Sequence, residues 1–264
     1  MALVNIHGLV KEYSTRSQGK FTAVTNFSLT LNRGEFFCLL GPSGCGKSTV
    51  LSMLAGFEAP TSGLIELDDS SIQGPSRDRG VVFQGDDSLF PWLTALENIE
   101  FGLRVCGMQK RERRLKAMKY LNLVGLVGQE SKYPTELSGG MKQRIQIARA
   151  LANEPKMLLM DEPFGALDAQ TREIMQNELR RIWKSTNISV FFITHDIDEA
   201  IRLGTRIGVM SAGPAANLLD VIDNTSPIQL GRADPRYIES YSRIHSMIRG
   251  STPSQETLSG EVAA

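Results

Sequence analysis

The stretch Gly41-Pro42-Ser43-Gly44-Cys45-Gly46-Lys47-Ser48-Thr49 reads G-x-x-x-x-G-K-S. An apolar run, Phe36 to Leu40, leads into it, and a helix-compatible run, Val50 to Ala55, leads out. This order predicts a buried strand, a tight turn and a helix, the setting that separates a phosphate-binding loop from a chance glycine turn. Glycines allow successive N–H groups to point inward at phosphate oxygens. The positive end of the following helix faces the same phosphates. Lys47 is then placed to reach the β- and γ-phosphates, and Ser48 to offer its hydroxyl to Mg²⁺.

The rest of the chain narrows the class. Its 264 residues are enough for one large domain or two small ones, and 41% apolar content supports a sizeable core. Lys+Arg and Asp+Glu are equal at 29 each, so no overall field draws the chain to nucleic acid or acidic lipid. Cys38, Cys45 and Cys106 show neither metal spacing nor a disulfide framework, as in a reducing cytosol. Cys45 lies inside the loop, so thiol reagents are expected to block the site. The first residues carry no signal-peptide pattern, and no run of 18 or more apolar residues is long enough to span a bilayer. Work at a membrane would go through another subunit.

Taken in order, residues 3–12 and Ala23 to Leu31 alternate loosely as strands, with Val24, Phe27, Leu29 and Leu31 sharing a buried side despite an imperfect period. Leu64 to Leu67 and Arg79 to Gln84 read as short strands. From about Ser88 to Pro134 the chain turns helical and basic. Leu96, Ile99 and Leu103 fit one helical face, and Leu115, Met118, Leu121 and Leu123 another. Lys110, Arg111, Arg113, Arg114, Lys116 and Lys119 make either a solvated face or a surface for lipid or a partner. Beyond it, Met141, Ile145, Ala148 and Ala152 mark a helix. Met157 to Met160 is a buried strand ending at Asp161-Glu162, and Thr171 to Ser185 an amphipathic helix. Ser189 to Thr194 is a strand ending at His195, and Arg206 to Met210 one more. Such alternation implies a mostly parallel sheet covered on both faces, with ligands at the strands' carboxyl ends.

A phosphate loop alone does not separate a kinase, a GTPase and a transport ATPase. Asp161 at a strand end is placed to hold Mg²⁺, directly or through water, and Glu162 beside it to polarise an attacking water. Leu137-Ser138-Gly139-Gly140-Met141-Lys142-Gln143 is more specific: a serine and two glycines at a helix start make a second anion site.

With these motifs in family order, the chain resembles the ATP-binding subunit of an ABC transporter over roughly residues 3–245. The resemblance implies an α/β P-loop ABC-ATPase fold: a mostly parallel sheet core, an N-terminal antiparallel β part and a helical insertion. It implies a single ABC ATPase domain, 1–250, with a RecA-like core (about 1–87 and 135–250), a helical subdomain (about 88–134) and a flexible tail, 251–264. Residues 41–49 match Walker A, Gln84 the Q-loop, 137–143 the signature, and Asp161 and Glu162 Walker B and the catalytic glutamate. Gly165-Ala166-Leu167-Asp168 matches the D-loop and His195 the switch histidine. Tyr13 matches the aromatic that stacks on adenine, with Phe21 as the alternative. By this resemblance Glu162, His195, Lys47 and Gln84 serve catalysis, and Ser48, Gln84 and Asp161 hold Mg²⁺. ATP contacts Tyr13, Gly41 to Thr49, Gln84, Ser138, Gly139, Gly140 and Asp168.

Asp161 to Arg172, Leu89 to Thr94 and Thr194 to Ala200 resemble bacterial importers, and Phe90-Pro91-Trp92 the nitrate, sulfonate, taurine and bicarbonate branch. Two stretches depart from the family pattern: Asp68-Asp69-Ser70 stands where a glycine turn is common, and Ser211 to Asn217 lacks the branch's Arg-Pro-Gly-Arg run. The resemblance implies a peripheral subunit on the cytoplasmic face of the cell membrane. It would work as one of two ATPase copies, with transmembrane permease subunits and an external solute-binding protein, and without nucleic acid. The alternative is a soluble ABC ATPase of DNA repair or translation. Those types carry long insertions or two cassettes, and neither stands in this sequence.

Overall fold

Strand β3 (Phe36–Leu40) is buried at every residue, and its side chains divide between two cores. Phe36, Cys38 and Leu40 face one, Phe37 and Leu39 the other, as the two-residue repeat of a strand requires. β7 (Met157–Asp161) and β8 (Ser189–Thr194) divide in the same way. Near-continuous apolar runs fit a sheet covered on both faces.

The computed structural model describes residues 1–15, 19–85, 88–224 and 233–251. The central sheet has six strands in the order β10-β9-β3-β8-β7-β6, with β6 at Arg79–Val82, β9 at Arg206–Met210 and β10 at Leu218–Asp223. All its pairings are parallel except β10 with β9. A second, antiparallel sheet runs β2-β1-β4-β5, from β1 (Ala2–Thr15), β2 (Gly19–Asn32), β4 (Ser62–Leu67) and β5 (Ser70–Ser71). It covers one face of the central sheet together with α1 (Lys47–Ala55). On the other face lie α4 (Gly139–Ala152), α5 (Ala169–Thr186), α6 (Ile197–Leu203) and α7 (Pro235–Ser251), and α2 (Ala95–Val105) and α3 (Lys110–Leu123) pack against α4. This is the expected α/β architecture, antiparallel part and helical insertion included.

Val24, Phe27, Leu29 and Leu31 are buried, and their uneven spacing has a cause. The β1–β2 register slips between Leu9↔Phe27 and Lys11↔Val24, and Asn26 takes a left-handed φ of 44°. A bulge of this kind moves the following side chains to the other face. Asp68 and Asp69, at φ 51° and 57°, make the β4–β5 turn that two glycines would make without strain. Lys156 and Arg33 both pair with Asp68.

In α2, Leu96, Ile99 and Leu103 are buried as expected. In α3 the buried side is Ala117, Tyr120 and Leu121, and Leu115 is 68% exposed, against the expectation. Two residues before Ala117, Leu115 lies roughly 200° round the helix from it. Of the basic run, Arg113 pairs with Glu100 at 3.0 Å and Lys116 with Glu154 at 2.9 Å, while Lys110, Arg111 and Arg114 are exposed. Strand β6 stops at Val82, where its pairing with β7 ends, so Gln84 stands in a loop and not in the sheet. Helix α4 packs on α2 and α3 as well as on α5. Strands β5 and β10 and helices α6 and α7 were not anticipated as elements. The expected flexible tail, apart from Ser251 at the end of α7, lies outside the described residues.

Helix α1 ends on Gly56, at φ 80°, with Gly56 N–H bonded to the Met53 carbonyl and Phe57 N–H to that of Ser52. A Cβ at Gly56 would stand 2.3 Å from the Gly74 carbonyl oxygen. Gly56→Ala therefore combines an L-residue in the left-handed region with a backbone clash, together about 3 kcal/mol. The expected result is a lower denaturation midpoint in urea with an unchanged m-value.

Candidate functional site

Three strand ends deliver the site. β3 ends at Leu40, and the loop to α1 turns through Gly44 (φ 77°) and Gly46 (φ 95°), conformations suited to glycine. A Cβ at Gly46 would sit 2.9 Å from Val24, so this glycine also lets the loop press against β2. Lys47, only 4% exposed, donates to the Gly41 carbonyl at 2.8 Å and the Pro42 carbonyl at 3.0 Å. Its ammonium is 3.8 Å from Glu162 Oε1. The Ser48 hydroxyl donates to Asp161 Oδ1 at 3.1 Å.

β7 ends at Asp161. Glu162 leaves the sheet at a left-handed φ of 42°, with its N–H bonded to the Ile193 carbonyl of β8 at 3.1 Å. That bond brings the end of β7 beside the residue following β8. His195 Nδ1 lies 2.9 Å from Glu162 Oε2. Burial lifts the Asp161 carboxyl above the usual range, the neighbouring charge of Glu162 adds to this, and Ser48 and Lys47 oppose it.

Tyr13, Phe21, Ser43, Gly44, Gly46, Lys47, Ser48, Thr49, Gln84, Asp161 and Glu162 line one cavity of about 320 Å³. Tyr13 and Phe21 are directly paired across β1 and β2, so both aromatic candidates stand at the same rim. The Tyr13 hydroxyl donates to Glu58 at 2.7 Å, which fixes the ring. Burial and the Glu58 hydrogen bond raise its pKa. Gln84 stands over Gly165, where a Cβ would meet its amide nitrogen at 2.9 Å.

The remaining residues lie elsewhere. His195, with its side chain 56% exposed, lines a smaller cavity that shares Glu162 with the first. Ser138 caps α4, its hydroxyl accepting from Met141 N–H at 3.4 Å, and neither it nor Gly139 lines the first cavity. Gly140 lies against Thr171, 3.2 Å from where a Cβ would be, and so lets α4 approach α5 closely. Asp168 caps α5, accepting from Thr171 N–H at 2.9 Å, and hydrogen bonds from Thr171 hold its carboxyl below the usual range. Gly41, Pro42 and Cys45 form the loop's base. The expectation for Cys45 is corrected: its thiol is fully buried, faces the Gly41 backbone, and is pushed up in pKa by burial. A buried, protonated thiol is a poor nucleophile, so the site is shielded from thiol reagents on this side.

Several residues went unseen in the sequence. Glu199 is buried with its carboxyl raised by burial, accepting from Thr194 Oγ1 at 2.5 Å and Gln176 at 3.1 Å. It lies in the stretch quoted for the importer resemblance, where only His195 was given a role. Asn98, fully buried, accepts from Phe90 N–H at 2.9 Å and donates to the Phe90 and Leu93 carbonyls, so it shapes the loop carrying Trp92. Asparagine in a helix gave no signal of this.

Residues 24–165 match the family described as ABC transporter. The chain belongs to the ABC transporter family. It is 46% identical over 243 residues to the taurine import ATP-binding protein TauB of Yersinia pestis, covering 89% of this chain and 93% of the relative. The nitrate import ATP-binding protein NrtD of Synechocystis is 44% identical, over 88% of this chain and 90% of its own. The bicarbonate transport ATP-binding protein CmpD of the same organism is 46% identical, over 90% and 84%. Among solved structures, the ATP-binding cassette MJ0796, a dimer bound to ADP and Pi, superposes with a TM-score of 0.72 at 34% identity, covering 84% of this chain and 99% of that one. The chain is thus an ATP-binding ABC ATPase that powers import, and the soluble non-transport alternative is not favoured. Among the described residues no helix is long and apolar enough to cross a membrane.

Proposed function

We propose that this chain hydrolyses Mg²⁺-ATP to drive uptake of a small anion or organic solute of the taurine, sulfonate, nitrate or bicarbonate type. It does so as one of two ATPase copies beneath a permease, on the cytoplasmic face of the membrane, with solute delivered by an external binding protein. One observation carries the chemistry: the 320 Å³ cavity joins the phosphate loop, Gln84, Asp161 and Glu162 to an aromatic rim. The solute class rests on the relatives' names, and the partners on the family resemblance.

In this reading the adenine stacks at Tyr13 or Phe21, and the triphosphate lies along Ser43 to Thr49. Lys47 exchanges its carbonyl partners for β- and γ-phosphate oxygens. The donor set suits Mg²⁺: a hydroxyl and a carboxylate 3.1 Å apart, both hard oxygen ligands, with Gln84 beside them. Ser48, Asp161 and Gln84 would hold the ion, which when bound offsets the charge of the β- and γ-oxygens. Glu162 draws the proton from the attacking water, and His195, bonded to it, orients that water against the γ-phosphate. The RecA-like core and the helical subdomain of 88–134 act as the two moving parts.

The permease contact is assigned to a second groove of about 650 Å³, lined by Phe83, Phe90, Phe101, Val105 and Arg149 among others. Trp92 stands beside it, 69% exposed, on the loop pinned by Asn98. A pinned aromatic residue on an exposed loop suits a binding hot spot, worth about 2 kcal/mol or more. Trp92→Ala is expected to weaken permease assembly by roughly 30-fold, the same energy expressed as an affinity, with ATP binding unchanged. Co-purification of the variant at wild-type yield would remove the assignment.

The solute is tested in the host cell. Disruption of this coding sequence should abolish uptake of one labelled solute among taurine, nitrate and bicarbonate, with the natural chain and Lys47→Ala then compared as complementing copies. Only the natural chain should restore it. Unchanged uptake of all three would reject the solute class.

A further inference from the structure

Gln84 stands in the loop between β6 and α2, and that loop is gripped from the side by one helix. Gln146 Nε2 of α4 donates to the Gly85 carbonyl at 2.8 Å. Arg149, one turn further along α4, donates to the Ser88 carbonyl at 2.7 Å and reaches the Ser88 hydroxyl at 3.5 Å. Residues three apart share a helix face, so the two side chains form one clamp over the loop. Gln146 is 1% exposed, and the Arg149 guanidinium lies over the Phe90 ring at 5.5 Å. Both bonds run to backbone carbonyls, so they locate Gly85 and Ser88 whatever side chains stand there.

The clamp stands between three features already described. At one end of the loop Gln84 lines the nucleotide cavity. At the other, Ser88 and Phe90 line the groove assigned to the permease, and Arg149 is part of its wall. The same α4 begins at its cap, Ser138, eight residues before Gln146, or about 12 Å along the axis. A helix is stiff over two turns, so movement of its capped end displaces Gln146 and Arg149, and with them the Gly85 and Ser88 carbonyls.

We propose that Gln146 and Arg149 are positioning residues through which α4 sets the place of Gln84 in the nucleotide cavity. The loop then follows the helix that begins at Ser138, and nucleotide, signature helix and partner groove are joined by two hydrogen bonds to backbone. The inference rests on the reading of Gln84 as a residue that meets the nucleotide.

A mutant cycle on the full-length chain tests it, with turnover of ATP and Mg²⁺ and the Kd of a fluorescent ATP analogue as readouts. Gln146→Leu keeps the size and burial of the side chain and removes the donor. It is expected to lower kcat at least fivefold while Kd changes less than twofold. Gln84→Ala alone should also lower kcat. In the Gln84→Ala background Gln146→Leu should cost less than twofold further, because residues acting through one another are not additive. Arg149→Lys keeps the charge, gives up the forked contact, and serves in the same cycle if Gln146→Leu does not fold. Independent effects that multiply, or unchanged kcat in Gln146→Leu, would overturn the clamp and leave the role of Gln84 standing. Unchanged turnover in Gln84→Ala would overturn both, and so separates the two failures.

Discussion

Glu162→Gln should leave ATP bound and essentially unhydrolysed. The amide matches the carboxylate in shape, so the contacts with Lys47 at 3.8 Å and His195 at 2.9 Å keep their spacing. The left-handed φ of 42° is a property of the backbone between β7 and Phe164 and does not depend on the charge. What is lost is the capacity to take a proton from water, and a positioned general base contributes about 10²–10⁴-fold to rate. Turnover is expected to fall by that factor, with the Kd for ATP within threefold of the natural chain. Lys47→Ala should behave differently. It removes a cation that meets the phosphates in both ground and transition states, so binding and turnover fall together. Single-turnover hydrolysis beside equilibrium nucleotide binding separates the two patterns. A Glu162→Gln chain that hydrolyses ATP near the natural rate would leave His195 or another group as the base.

The contrast between these variants reflects what a sequence can carry. Residues 41–49 were legible because the fold and the chemistry ask for the same thing there. Glycines at left-handed φ make the turn, and the turn lines the candidate cavity. Asp161 and Glu162 were legible because a buried strand must end before a charged pair, and the sheet places that end beside the phosphate loop. Leu115 misled because α3 buries a narrow stripe through Ala117, Tyr120 and Leu121, and neither Ala117 nor Tyr120 was counted as an apolar marker there. Cys45 misled because position in a motif says nothing of which way a side chain points, and here it points at Gly41. Asn98, Gln146, Arg149 and Glu199 were illegible for a common reason. Each is a polar side chain that faces inward, and each partner is a backbone atom or side chain that only the folded chain brings near. A linear pattern records periodicity and composition. It does not record which loop a helix will grip.

ATP should also turn two copies of this chain into a dimer. Ser138 is exposed at the start of α4, with Gly139 beside it, and neither lines the cavity that holds Walker A. The first N–H groups of a helix attract anions, and within one chain these have no phosphate to meet. A second copy placed head-to-tail would supply one. Without nucleotide no phosphate links the phosphate loop of one copy to the helix start of the other, and nothing favours association. With ATP and Mg²⁺ bound, the γ-phosphate would bridge them. A ligand that binds the paired state better must shift the population toward it, and a change from 1:99 to 99:1 needs a preference of about 10⁴-fold. MJ0796, 34% identical, was solved as a dimer bound to ADP and Pi. The shift should be largest in Glu162→Gln, where the bridging phosphate survives, and absent in Glu162→Gln combined with Ser138→Arg, where a bulky cation fills the second anion site. Sedimentation of the two proteins with and without ATP and Mg²⁺ makes the first comparison. The second uses the assembled transporter, with cysteines placed to cross-link Walker A of one copy to the signature of the other. ATP should raise the cross-link yield in Glu162→Gln and leave it at the nucleotide-free level when Ser138→Arg is added. A yield indifferent to ATP in the assembled complex would reject the shared site.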